Sequence, residues 1–160
     1  MRQLTSRLNG PRRTSHNATF NTKLMVANGI VMSKMVYLIT LWGGAQRYLL
    51  EALLGQQLIA ARIVCGFYIF SWSKRKLLDK VGWLSVRQLI FFHTVLQAQK
   101  PISSGVPRPL HAAITTTHPY RTRSATRGMI RFEENVGGPS PSFNYRAMQW
   151  FNSVPVEVRT

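Results

Sequence analysis

The sequence predicts an all-α fold: a bundle of four to five helices, then a basic, Pro/Gly-interrupted tail and a short C-terminal helix. Several long stretches carry apolar residues at steps of three, four and seven positions, the pattern of a helix with an apolar face. Six of the eight prolines lie between residues 101 and 141, which leaves little room there for long regular elements. A chain of 160 residues with 45% hydrophobic content can bury one core.

Residues 19–44 form the predicted central helix. One stripe is apolar and the remaining faces are largely apolar too, so neighbouring helices must cover it on several sides. Gly43 and Gly44 are expected to end it, because glycine reaches the left-handed conformation at little steric cost. A second helix over residues 47–64 then completes an antiparallel hairpin. The central stripe consists of Phe20, Leu24, Ala27, Val31, Leu38 and Leu41.

Two further helices are indicated by their capping residues. Ser71 or Ser73 is expected to cap the short helix KRKLLDKVG, because a serine side chain can accept a hydrogen bond from an unpaired N–H in the first turn. Ser85 and Gln88 have the spacing of a capping box, so a fourth helix is expected to begin at Ser85. Pro101 is expected to end it, because proline lacks the N–H that continues a helix.

The change in composition predicts three segments. Residues 1–102 form a helical domain, residues 103–141 a basic linker, and residues 142–160 a short C-terminal helix with an end segment. The amphipathic face of that last helix is expected to dock on a core. It consists of Phe143, Ala147, Trp150 and Phe151.

The charge balance predicts a polyanionic partner. The chain has 21 Lys+Arg against five Asp+Glu, a net charge of +16, and such self-repulsion favours contact with nucleic acid or, second, anionic membrane. Tyr68, Phe70 and Trp72 lie beside the basic run at residues 74–76, Tyr120 precedes the arginine run, and aromatic faces can stack on bases. The alternative interpretation is that the lysines are a solvated helix face and the aromatics are core. The candidate phosphate contacts are Lys23, Lys74, Arg75, Lys76, Lys80, Arg121, Arg123, Arg127 and Arg131.

The sequence does not indicate an enzyme. Two-metal catalysis needs carboxylates that converge on the ions, whereas the adjacent pair Glu133 and Glu134 point in different directions. No phosphate-binding glycine loop and no nucleophile elbow are present in the sequence. His93 lies on an apolar face and is expected to be a packed histidine. We therefore expect no catalytic residue, no metal site and no cofactor in this chain.

Cys65 is the single cysteine, so no intrachain disulfide can form. It is expected to be buried and inert, because no cation adjoins it in sequence to lower its pKa. The N-terminal segment is basic without a continuous apolar core, unlike a secretory signal. An intracellular location, nuclear or cytoplasmic and not secreted, is therefore expected.

A membrane-associated cationic protein is the first alternative. Residues 24–42 are about as long as a membrane span. Lys34 lies near the middle of that stretch, however, and a central lysine costs about 2.5–3.5 kcal/mol on insertion scales. A membrane partner is accordingly the less favoured interpretation.

Four blocks of this sequence, in order, resemble the region downstream of the polymerase core in non-LTR retrotransposon reverse transcriptases of the jockey-like and related families. The resemblance covers about residues 7–159. In these enzymes the region follows the catalytic palm and forms a helical thumb and its C-terminal extension, which track the primer-template backbone. The blocks are FNTKLMVANGIVMSKMVYLITLWGGA, QQLIAARIVCG, SKRKLLDKVGWLSVRQLIFFHTVLQAQK and SFNYRAMQWFNSVPVEVR.

The resemblance implies a non-catalytic nucleic-acid-binding piece of an RNA-directed DNA polymerase. Its implied partners are the backbones of RNA, DNA or an RNA–DNA hybrid, and the polymerase core of a parent protein. The family's Ala-Asp-Asp catalytic box has no counterpart in this sequence, so polymerase activity is not carried over. By position, Lys23 and residues 74–76 correspond to phosphate contacts, and the block around Trp150 looks structural. The segment GFYIFSWS departs from the shorter, more polar connector of the family.

A methionine at position 1, within a region that is internal in the family, predicts a truncated or decayed element or a fragment of a longer reading frame. A non-functional remnant, whose helices fail to fold without the palm, is the second alternative. Cooperative thermal unfolding of the purified chain would contradict it.

Overall fold

The computed structural model describes residues 18–66, 72–115, 128–132 and 143–158. The predicted all-α class is confirmed, since the described residues are mostly helical and each of the two strands has only two residues. The chain divides into two compact units, one that ends at Leu89 and one that begins at Ile90. The domain boundary predicted at residue 102 lies inside the helix Val86–Ser104. The division between the two units lies near the start of the same helix.

Helices follow one another along most of the described chain. In order, the elements are α1 (Phe20–Ala27), a π-helical segment (Asn28–Met32), α2 (Ser33–Val36), α3 (Ile39–Trp42), α4 (Arg47–Cys65), α5 (Lys74–Val81), α6 (Val86–Ser104), α7 (Arg108–Ala113), β1 (Ile114–Thr115), β2 (Arg131–Phe132), α8 (Phe143–Ser153) and a 3-10 turn (Val156–Val158).

The predicted central helix is interrupted at Leu38. This residue has φ 50° and ψ 32°, in the left-handed region, whereas Gly43 keeps a right-handed φ of −62°. The helical stretch ends at Trp42, directly before Gly43 and Gly44 as expected, but neither glycine has the expected left-handed conformation. A left-handed leucine costs about 1–2 kcal/mol. The break also frees backbone groups, and the indole Nε1 of Trp42 donates to the Tyr37 carbonyl at 2.9 Å.

The buried stripe of this region also differs from the predicted one. Val31 of the predicted stripe is 1% exposed, but its members Leu38 and Leu41 are 52% and 69% exposed. Met35 and Ile39, which the predicted stripe left out, are 2% and 3% exposed. The π-helical segment explains part of the difference, because one extra residue in a turn rotates the following side chains by about 100°. The turn widens within Asn28–Met32, just before the buried methionine.

The first unit is organised around α4, which packs against α1, the π segment and α5. Its bounds agree with the prediction, and its buried face includes Leu58, Ala61 and Val64. Gln57 is fully buried on this face, and its Nε2 donates to the Leu84 carbonyl at 2.8 Å. A second long-range hydrogen bond runs from the indole Nε1 of Trp83 to Asn28 Oδ1, also 2.8 Å.

The capping box before α6 is confirmed. The backbone N–H of Ser85 donates to Gln88 Oε1 at 2.9 Å, and the Gln88 N–H lies 3.5 Å from Ser85 Oγ. The predicted end at Pro101 is wrong, because α6 continues through this fully buried proline to Ser104. Gly105 then ends the helix, with φ 67° and its N–H bonded to the Pro101 carbonyl at 2.9 Å.

The second unit contains structure within the predicted basic linker. In addition to α7, its strands β1 and β2 pair antiparallel, with Ile114 opposite Phe132. The side chain of Asn152, in α8, bonds both backbone groups of Ile130: Nδ2 donates to the carbonyl at 3.1 Å, and Oδ1 accepts from the N–H at 3.0 Å. The core consists of Ala98, Ile114, Ile130, Ala147 and Phe151.

The membrane interpretation required a continuous helix near residues 19–44, and the left-handed Leu38 divides that stretch. Another helix of the described chain, Arg47–Cys65, is long and apolar enough to cross a membrane by length and composition, with a mean hydropathy of 1.3. The core helix of a soluble protein meets the same two criteria, and a signal sequence can meet them too.

Two methionines in this region provide a test of the buried stripe. Met35→Ala is expected to lower the free energy of unfolding by about 2–5 kcal/mol, because it removes a side chain from a packed interior. Met25 is 74% exposed, and Met25→Ala is expected to change stability by at most about 0.5 kcal/mol. Chemical denaturation of the two variants measures the difference, and equal losses would contradict the assigned core.

Candidate nucleic-acid interface

Helix α5 is the best-defined element that carries candidate phosphate contacts. Its apolar residues Leu77, Leu78 and Val81 are 1%, 6% and 5% exposed, and the helix packs against α4. Ser73 Oγ accepts from the Lys76 N–H at 3.3 Å and caps the first turn, while Gly82 ends the helix with φ 68°. The prediction of a serine-capped amphipathic helix is thus confirmed, with Ser73 as the cap.

Helix α5 carries four of the nine predicted contacts, and three of them, Arg75, Lys76 and Lys80, lie on the side opposite its apolar residues. Of the four, three stand in the first turn and the fourth stands near the end of the same eight-residue helix, all exposed. Asp79 is the only acid in α5, and its Oδ2 lies 3.8 Å from Arg75 Nε. Both side chains are largely exposed, so this ion pair is weak and its arginine can exchange partners. The four cations are Lys74, Arg75, Lys76 and Lys80.

An aromatic side chain lies directly beside these cations. The Lys76 Nζ sits 4.6 Å from the centroid of the Trp72 ring, within the range of a cation–π interaction. Trp72 itself is partly exposed and precedes the Ser73 cap. The other aromatics expected here, Tyr68 and Phe70, lie outside the described residues.

The remaining predicted contacts are not gathered on α5. Lys23 is partly buried on α1, in the first unit, and Arg131 is exposed on β2, in the second unit. Arg121, Arg123 and Arg127 lie outside the described residues. The structure therefore brings together only the four predicted cations of α5. The role of the predicted arginine run stays a prediction.

Other cations of the first unit are engaged with the acid Glu51. Its Oε1 lies 2.9 Å from Arg87 Nη2 and 3.5 Å from Arg47 Nε. Both arginines therefore share one carboxylate on α4. The exposed, less compensated positive charge of the described first unit is concentrated on α5, where one acid faces four cations.

Sequence reasoning did not anticipate the burial of Arg146. This residue is 7% exposed in α8, and its guanidinium carbon lies 6.0 Å from the centroid of the Trp150 ring. Burial lowers the pKa of Arg146. Arg146 and Trp150 are four residues apart, the spacing that places two side chains together on a helix. That spacing is the signal that could have identified the pair, and the burial of Arg146 excludes it from an exposed binding face.

Burial and the charge of Lys80 on α5 both act on the pKa of the Cys65 thiol. Burial raises the pKa of the Cys65 thiol, and the nearby positive charge of Lys80 opposes the rise. The expectation of a poorly reactive thiol agrees with the raised pKa, although Cys65 is only partly buried. No cation adjoins Cys65 in the sequence. The fold brings Lys80 of α5 near the thiol.

No group of three or more His, Cys, Asp and Glu side chains that could hold a metal ion occurs among the described residues. The predicted packed histidine, His93, is partly buried, with its ring 5.4 Å from that of Phe92 in an edge-on arrangement. Neither observation points to a reaction. The chemistry that the described residues offer at α5 is charge and an aromatic ring.

Comparisons with protein-family models, curated proteins and solved structures gave no match. The resemblance to retrotransposon reverse transcriptases therefore depends on the sequence blocks alone, and the case for α5 depends on its own geometry.

Alkylation of Cys65 by iodoacetamide tests the coupling to Lys80. The rate is expected to reach half its limit at a pH above the ordinary thiol pKa, because burial raises the pKa and the thiolate is the reactive form. Lys80→Gln removes the opposing charge and should move this midpoint to still higher pH, whereas Lys34→Gln should leave it unchanged. A lower midpoint in Lys80→Gln would contradict the assignment.

The same shift links Cys65 to stability. Because the thiolate is disfavoured in the folded chain, the thiol's contribution to the free energy of unfolding is fully present below its unfolded pKa. The contribution is lost as the pH rises through the folded pKa. Denaturation in the alkaline range is therefore expected to show a steeper loss of stability in Lys80→Gln than in Lys34→Gln.

Proposed function

We propose that this chain is a non-catalytic nucleic-acid-binding piece that contacts the phosphate backbone of RNA, DNA or an RNA–DNA hybrid through α5. The observation that carries the proposal is the construction of this helix. Three apolar residues fix one face. Arg75, Lys76 and Lys80 lie on the opposite side of the helix with the single acid Asp79, and Lys74 is an exposed cation of the first turn. A rigid helix that holds several cations out to solvent can neutralise several phosphates at once.

The proposed binding is tolerant of sequence. Lysine and arginine contacts to phosphate carry no information about the base, and they gain free energy by releasing counterions. The exposed pair Arg75–Asp79 supports this use of the face, because an exposed ion pair contributes at most about 1 kcal/mol and Arg75 can leave it for a phosphate. The net charge of +16 adds long-range attraction to any polyanion.

The proposed larger context is the thumb and downstream extension of a non-LTR retrotransposon reverse transcriptase. What supports it is the ordered set of sequence blocks, one of which contains α5 together with the cap of α6. Polymerase activity would then belong to a longer parent protein, with the polymerase core as a partner of this chain. The proposed location is intracellular, in the nucleus or cytoplasm.

Fluorescence anisotropy with a labelled single-stranded oligonucleotide, repeated over a range of salt concentrations, tests the proposal. Affinity of the full chain is expected to fall linearly on a log–log plot against salt. The triple variant Lys74→Gln, Lys76→Gln and Lys80→Gln should bind more weakly. The magnitude of its slope should fall by about 0.7 for each phosphate of the strand that the variant no longer neutralises.

Lys34→Gln is the matched control, because Lys34 is an exposed lysine outside α5. Its slope is expected to stay close to that of the unmodified chain. Binding that ignores salt would contradict the assignment of the interface to this helix. An equal loss in the α5 triple variant and in the triple variant Lys34→Gln, Lys100→Gln and Arg108→Gln, whose exposed cations lie outside α5, would contradict it too.

A further inference from the structure

Trp72 differs from the other three tryptophans of the chain. Trp83 is 8% exposed and donates to Asn28, and the indole N–H of Trp42 is bonded to the Tyr37 carbonyl. Trp150 lies 5.6 Å from the ring of Phe91 and close to a buried arginine. Only Trp72 combines partial exposure with a position beside the cations of α5.

The cation–π contact of Lys76 with the Trp72 ring can be replaced by another ligand. Lys76 is an exposed residue whose ammonium group stands at the end of a flexible four-carbon chain. At an exposed site a cation–π contact changes an equilibrium constant by about 2- to 5-fold. Stacking of a nucleobase on an aromatic side chain changes it by about 5- to 150-fold. A base can therefore displace the ammonium group from the ring.

We propose that Trp72 is a stacking site for an unpaired nucleobase, and that Lys76 moves from the ring to a neighbouring phosphate when the base binds. The inference deepens the proposed function and rests on it, because the phosphate contacts of α5 bring the strand to the ring. The released ammonium then gains a phosphate, so the exchange replaces one weak contact with two.

The chemistry of the ring selects the ligand class. In a duplex each base is already stacked between its neighbours and its face is not accessible, whereas an unpaired base offers a free face. The site therefore favours single-stranded RNA or DNA over a duplex. Because every base has an aromatic face, the site does not select a base sequence.

Three ligands of equal length separate base stacking from phosphate contact. They are an unmodified single strand, a single strand of abasic residues with the same phosphates, and a duplex. The full chain is expected to bind the unmodified strand about tenfold more tightly than the abasic strand, and Trp72→Leu is expected to leave duplex binding unchanged. Trp72→Leu keeps an apolar side chain before the Ser73 cap and should bind the first two ligands equally. Tyr48→Leu, at an exposed aromatic on α4, should keep the tenfold preference.

Tryptophan emission of the unmodified chain gives a second measurement that needs no variant. The unmodified strand is expected to quench the emission and the abasic strand to leave it nearly unchanged at saturation. Lys76→Gln should keep the preference for bases while its salt slope falls by about 0.7.

The outcomes separate the two proposals. Equal, salt-dependent binding of unmodified and abasic strands, without quenching, would overturn the stacking site and leave the phosphate interface in place. A loss of duplex affinity in Trp72→Leu as large as its loss of single-strand affinity would overturn the selection for unpaired bases. If none of the three ligands binds, both the proposed function and the stacking site are wrong.

Discussion

Two hydrogen bonds hold the chain immediately after α5, and the position of the cationic helix depends on them. The fully buried Gln57 donates to the Leu84 carbonyl, and Trp83 donates to Asn28 Oδ1. Each joins residues at least 27 positions apart. Loss of either leaves a buried polar group unsatisfied, which costs about 1–3 kcal/mol. The hydrogen bonds of Trp83 and Leu84, directly after α5, thus fix the direction of this helix. The side chains of Leu77, Leu78 and Val81 fix which face of the helix is buried.

Local signals in the sequence identified the elements whose ends depend on nearby residues. Ser73 and the Ser85–Gln88 pair cap their helices as expected, because capping is decided within four residues. The break at Leu38 and the passage of α6 through Pro101 were not predictable in this way. At Pro101, which is fully buried, tertiary burial overrides the local preference of proline. Leu38 is 52% exposed, and the residues buried after the break are its neighbours Ile39 and Thr40.

The sequence predicted which residues form the cationic helix, but not how their side chains are placed relative to neighbouring residues. The run Lys74, Arg75 and Lys76 identified the cationic helix, because the apolar residues that follow it specify which face is buried. The contact between Lys76 and Trp72, and the sharing of Glu51 by two arginines, depend on side-chain placement across loops and helices. Counting charges could not distinguish Arg146, which is buried, from a cation available to a phosphate.

The double hydrogen bond between Asn152 and Ile130 has a consequence for the core of the second unit. Ile130 is fully buried, so its backbone N–H and carbonyl cannot turn to water. A buried backbone group without a partner costs free energy comparable to a lost hydrogen bond. A carboxamide that both donates to and accepts from one residue's backbone reproduces the pairing that a neighbouring strand would provide. By occupying both groups of Ile130, immediately before β2, the asparagine side chain substitutes for a strand and lets this backbone lie in the core.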